Sequence, residues 1–72
     1  MRITQAQSQR VAKKLRINLD KVDIKDFTYG MNVEWEHRNH VGRSMTNVGK
    51  IVGDHLREDL NYYKKFRKAG LK

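Results

Sequence analysis

Ser8, Val11, Ala12 and Leu15 fall at i, i+3, i+4 and i+7, which lays a narrow apolar stripe along a helix. Thr4 precedes the stripe as a good N-cap, and Gln7 three residues later completes a capping-box pattern. Arg10, Lys13, Lys14 and Arg16 take the other faces and the last turn, where cations suit the helix dipole. The pattern predicts a first helix that is basic outside and packs thinly inside. Ile17 to Val22 reads as a connection, with Asn18 and Asp20 supplying turn chemistry and Leu19 expected to tuck inward.

The next stretch carries two patterns at once. Phe27, Tyr29, Met31, Val33 and Trp35 alternate strictly, as in a half-buried strand. Phe27, Met31 and Trp35 also follow one i, i+4 row of a helix, with Gly30 between them at a cost of about 1 kcal/mol relative to Ala. A strand needs a partner for its backbone groups, and no second convincing alternating run exists; residues 17–24 are interrupted by charge. A helix from the cap Asp23 to His37 is therefore favoured, with Asp26 placing negative charge in its first turn. A strand over residues 27–35, in an α+β fold, is the alternative.

Arg38 to Ser44 contains Asn39, Gly42 and Ser44 and reads as a loop, with His40 exposed on it. Ser44 or Thr46 caps a third helix, in which Val48, Ile51, Val52, His55 and Leu56 follow at 3–4 spacing. His55 thus sits on the buried stripe. Gly49 and Gly53, at i and i+4, either admit a close neighbouring helix or merely weaken this one. From Asp59 onward, Leu60, Tyr63 and Phe66 continue an apolar face. That face belongs to a short fourth helix capped by Asp59 or Asn61, or to a prolonged third one, with Gly70 as its end. The expected fold is mainly α: a small bundle of three or four short helices in one basic domain spanning residues 1–72.

Composition narrows the function classes. Seventy-two residues allow one modest core, of the size that rarely leaves more than about 3–5 kcal/mol of net stability. Cys is absent, which excludes disulfides and thiolate metal sites. No apolar run approaches the roughly 20 residues needed to span a bilayer, and the start lacks the apolar segment of a signal peptide. A soluble intracellular chain without a membrane partner is expected. Lys and Arg outnumber Asp and Glu by 16 to 8, for a net charge of +8, which favours nucleic acid or an acidic protein surface as partner.

The segment Gly30, Met31, Val33, Glu34, Glu36 and His37, followed by Gly49, Lys50, Ile51, His55, Leu56, Glu58 and the pair Tyr62-Tyr63, carries a resemblance. It is similar to an uncharacterised family of small proteins and modules from tailed phages and large DNA viruses. Its hallmark is Gly-Met-Asp-Val-Glu-Leu-Glu-His-Gly, then Thr-Gly-Lys-Ile-Ala-x-x-His-Leu-x-Glu and Pro-Asp-Tyr-Tyr. The similarity extends over nearly the whole chain. Arg38 stands where the family has Gly after the His, the loop differs, and the Pro before the Tyr pair is missing. The resemblance implies a viral origin, hence a place in the host cytoplasm or the virion, and a recurring Glu/His cluster. It implies no established activity.

Glu34 and His37 are three residues apart, as are His55 and Glu58, so on helices each pair projects from one side. Two facing helices would gather Glu34, Glu36, His37, His55 and Glu58 into one cluster. The structural expectation is a hydrogen-bonded network in which Glu34 or Glu36 accepts from His55 or a Tyr hydroxyl and sets how the helices dock. The metal alternative uses Glu34, His37, His55 and Glu58, an inventory compatible with zinc or a carboxylate-bridged pair. Nucleophilic catalysis lacks a Cys, and Ser8 and Ser44 are assigned to a stripe and a cap, so no enzyme and no cofactor is expected.

The basic ends make the stronger case. Arg10, Lys13, Lys14 and Arg16 of the first helix, with Lys64, Lys65, Arg67 and Lys68 of the last, are the expected nucleic-acid-binding residues. Tyr62, Tyr63 and Phe66, interleaved with the second group, are candidates for stacking on bases. Nothing in the pattern encodes sequence readout. The reading is a virus-encoded accessory protein that binds nucleic acid or another polyanion, with a minor virion component or an inhibitor of an acidic protein as the alternative.

Overall fold

The computed structural model describes residues 2–37 and 44–68. Within them the chain forms α1 (Gln5–Lys14), α2 (Ile24–His37), α3 (Met45–Glu58) and α4 (Tyr62–Lys68). This is the mainly α bundle expected, and residues 27–35 are helical. The loop from Arg38 to Arg43, with His40, and the terminator Gly70 lie outside the described residues.

The capping box at α1 forms as written in the sequence. The Gln7 N–H donates to Thr4 Oγ1 at 3.2 Å, and the Thr4 N–H donates to Gln7 Oε1 at 2.8 Å. Ser8, Val11 and Ala12 are buried, and among the described residues the Ser8 hydroxyl has no hydrogen-bond partner. α1 stops on a Schellman motif. The Ile17 N–H donates to the Ala12 carbonyl at 2.9 Å and the Arg16 N–H to that of Lys13 at 3.1 Å. Arg16 takes the left-handed position, with φ of 58°, where a Gly is usual.

Asn18 organises the connection: its Oδ1 accepts from the Asp20 N–H, and its carbonyl accepts from the Lys21 and Val22 N–H groups. Leu19 does not tuck inward. It is 40% exposed, because the turn points residues 18–21 at solvent; Ile17 and Val22 on either side pack on the core instead.

Asp23 caps α2, its Oδ1 accepting from the Lys25 N–H at 2.8 Å. α2 is packed by α1, α3 and α4. A helix covered from several directions carries apolar residues around most of its circumference, so its pattern loses the single stripe. That is why Phe27, Met31 and Val33 are all buried although they read as one face of a strand. Ser44 caps α3 through the Asn47 N–H, and Val48, Gly49, Val52 and Leu56 form its buried side.

The two glycines of α3 do admit a neighbour. A Cβ on Gly49 would lie 2.4 Å from Val11 Cγ1, and one on Gly53 would lie 3.3 Å from Ile17 Cδ1. α1 and its exit therefore run close along this face of α3. A further tie holds the segment before α1. Asn32 accepts from the Ile3 N–H at 2.8 Å and donates to the Ile3 carbonyl at 2.9 Å, while Ile3 itself is buried.

α3 ends at Asp59 rather than running on. The Asp59 side chain accepts from the Asn61 N–H at 2.9 Å, and the Asn61 carbonyl accepts from the Lys65 N–H, so the chain reverses into a separate α4.

Candidate functional site

Asp26, Gly30 and Glu34 stand at i, i+4 and i+8, one row along α2, and α4 docks on that row. Gly30 makes the notch: a Cβ there would fall 2.6 Å from Tyr63 Cε2 and 2.8 Å from Val52 Cγ1. Tyr63 fills it completely and donates its hydroxyl to Glu34 Oε2 at 3.0 Å, inside the protein. His55 of α3 brings its Nε2 to 3.5 Å from the same oxygen.

The rings close over this carboxylate. Tyr62 stacks flat on His55, centroids 4.4 Å apart, and Tyr63 meets Tyr62 edge to face at 4.9 Å. One residue on, Lys64 places its ammonium 3.4 Å from Asp26 Oδ2, whose side chain is only 5% exposed. One further, the Lys65 ammonium donates to Asp59 Oδ2 at 2.6 Å. That donation and the Asn61 N–H hold the Asp59 carboxyl below the usual carboxylate range. Three consecutive residues of α4 thus each find an acid on a different part of the chain.

The expected cluster is assembled only in part. Glu34 and His55 meet, with a Tyr hydroxyl as third member, while Glu36, His37 and Glu58 are exposed at the surface. α2 and α3 cross so that residue 34, not residue 37, faces residue 55. Among the described residues no group of three or more His, Cys, Asp or Glu is placed to hold a metal ion. What the arrangement does chemically is to fasten α4 on the α2–α3 pair. Its Asp26–Lys64 link was not expected, nor was the Asn32–Ile3 tie that holds the segment before α1. A signal for the first existed: two acids eight apart on one row flanking a mid-helix Gly.

The basic residues separate into two groups. Arg10, Lys13, Lys14 and Arg16 are all exposed, and none pairs with an acid among the described residues. Lys64 and Lys65 are engaged with Asp26 and Asp59, while Lys68 is exposed; the side chain of Arg67, like that of Phe66, lies outside the described residues. Among the described residues the two basic helices do not pack against each other. Gly30, which faces α4, and Asn32, which holds the segment leading into α1, are about 200° apart around α2. Among the described residues, α4 and the segment leading into α1 thus meet α2 on different sides. Neither Tyr63, fully buried, nor Tyr62, stacked on His55, extends a free ring beside the lysines.

Among the described residues no helix is long and apolar enough to cross a membrane. Comparison with known families matches the chain to the family described as Protein of unknown function (DUF5661), over residues 8–71. No curated protein and no solved structure matches the chain.

Proposed function

The chain belongs to the DUF5661 family, and from that premise we propose that it is a non-enzymatic binder of nucleic acid, engaged through the exposed side of α1. The observation that carries this is the uncompensated charge of that region. Arg2, Arg10, Lys13, Lys14 and Arg16 occur before the first acid of the chain, Asp20, and the net charge of the whole is +8. Such a surface attracts phosphates by releasing their condensed counterions, which needs no pocket and no sequence readout. The similarity of the Gly30–His37 and Gly49–Glu58 segments to proteins of phages and large DNA viruses supports a virus-encoded accessory role. The Glu34–His55–Tyr63 network serves here as the fastening of the scaffold.

The test is a salt titration of binding to a labelled oligonucleotide. The logarithm of the affinity should fall linearly with the logarithm of salt, by about 0.9 per duplex phosphate neutralised. Affinity indifferent to salt, or no binding at 50 mM salt, would overturn the reading. Capture of one acidic protein that survives nuclease treatment would favour the interaction-protein alternative.

A further inference from the structure

We infer that the nucleic acid is a duplex, gripped by α1 through its phosphates alone. This rests on the reading just given and adds the ligand's form. Unspecific single-strand binders combine a basic groove with aromatic side chains on which successive bases stack. Residues 2–19, which hold α1 and its flanks, contain no aromatic residue at all. Two of the three rings expected to supply a platform at the other end are engaged elsewhere, Tyr63 in the notch of α2 and Tyr62 on His55.

What α1 presents suits a duplex. Ser8, Val11 and Ala12 face inward, and Gln5, Ala6, Gln9, Arg10, Lys13 and Lys14 are exposed. This outer face is polar and cationic, without an acid to repel a phosphate. An α-helix with its side chains is about 10–12 Å across, close to the roughly 12 Å width of the B-DNA major groove. Arg2, also exposed, precedes α1 next to Ile3, which the Asn32 amide holds. The duplex also offers a phosphate every ~1.7 Å of axis against ~3.4 Å for one strand. A surface that acts only by charge must prefer the denser array. For about four phosphates neutralised, the difference in counterion release amounts to about a tenfold tighter duplex at 50 mM salt.

The experiment measures fluorescence anisotropy of the full chain with a mixed-sequence 30-base-pair duplex and with one of its strands, at two salt concentrations. The expected result is about a tenfold preference for the duplex, shrinking as salt rises. The R10Q/K13Q/K14Q variant should lose most duplex affinity with an unchanged circular dichroism spectrum, while K68Q binds as the parent does. A single strand bound as tightly as the duplex, or duplex binding that survives R10Q/K13Q/K14Q, overturns this inference and leaves nucleic-acid binding standing. Binding of neither probe overturns the proposed function itself.

Discussion

The hydroxyl of Tyr63 donates to the carboxylate of Glu34 across 3.0 Å, and both side chains are withdrawn from water. Residue 63 thereby joins α4 to α2, 29 positions earlier in the chain. A buried carboxylate that loses a donor loses part of what offsets its desolvation, and hydrogen bonds to charged groups contribute about 1.5–3 kcal/mol. Tyr63→Phe keeps the ring in the Gly30 notch and removes only the donor. It should lower the unfolding free energy by about 2 kcal/mol in a urea titration monitored by Trp35 fluorescence. In a domain of this size that corresponds to a melting temperature lower by roughly 8–16 °C. A parental urea midpoint would show that Glu34 does not depend on this donor.

Gly30 and Gly53 both sit inside helices, where Ala is intrinsically better by about 1 kcal/mol. Their surroundings set them apart. A Cβ at Gly30 meets the Tyr63 ring at 2.6 Å and Val52 at 2.8 Å, and a ring held in a filled notch has nowhere to go. Gly30→Ala should destabilise by about 1–3 kcal/mol and loosen α4. At Gly53 the nearest atom is the end of the Ile17 side chain at 3.3 Å, which yields by a few tenths of an ångström. Gly53→Ala should therefore stabilise by about 0.5–1 kcal/mol. Thermal melts of the two variants side by side check the opposite signs; equal signs would refute the notch.

How much of this was legible beforehand depended on range. The Thr4–Gln7 box and the Asp23 and Ser44 caps rest on residues within one turn of each other, and they appear where the pattern puts them. Of the α3 stripe, Val48, Val52 and Leu56 are buried, whereas Ile51 and His55 are only half-buried at its edge. The α2 alternation kept a strand open as the alternative because it records burial from several sides, which a single helical stripe does not describe. The Glu/His cluster was half visible: helical spacing places Glu34 and His37 on one flank, but which of them meets His55 depends on the crossing of two helices. No local pattern contains that crossing. Leu19 was misplaced because the turn built on Asn18 controls its direction more strongly than its hydrophobicity does.

Arg16 holds the left-handed position that ends α1, with φ of 58°. For a residue with a Cβ that conformation costs roughly 1–2 kcal/mol, part of which Gly returns through its freer unfolded chain. Arg16→Gly should raise stability by about 1 kcal/mol, read as a higher urea midpoint with unchanged slope. It also removes an exposed cation from the proposed phosphate face. The same variant should therefore bind a duplex more weakly, with a salt slope about 0.9 shallower if Arg16 meets one phosphate. A gain in stability together with a loss in affinity is the signature to look for.

Asp59 ties the α3–α4 turn, accepting from the Asn61 N–H and the Lys65 ammonium. Both hold its folded-state pKa below the ordinary carboxylate range, the Lys65 donation contributing most. A carboxyl whose pKa is depressed by folding binds fewer protons folded than unfolded around that range. Its stabilisation is therefore complete above the unfolded value and is lost as pH falls through the folded one. Asp59→Asn should be less stable than the parent at neutral pH, since the amide forfeits the charge that draws Lys65. As pH drops below the carboxylate range, the two urea midpoints should converge, because the parent's own Asp59 is then neutral. The check is a pair of urea midpoint curves against pH. A gap that stays constant into strong acid would mean that ionisation of Asp59 contributes nothing to the turn.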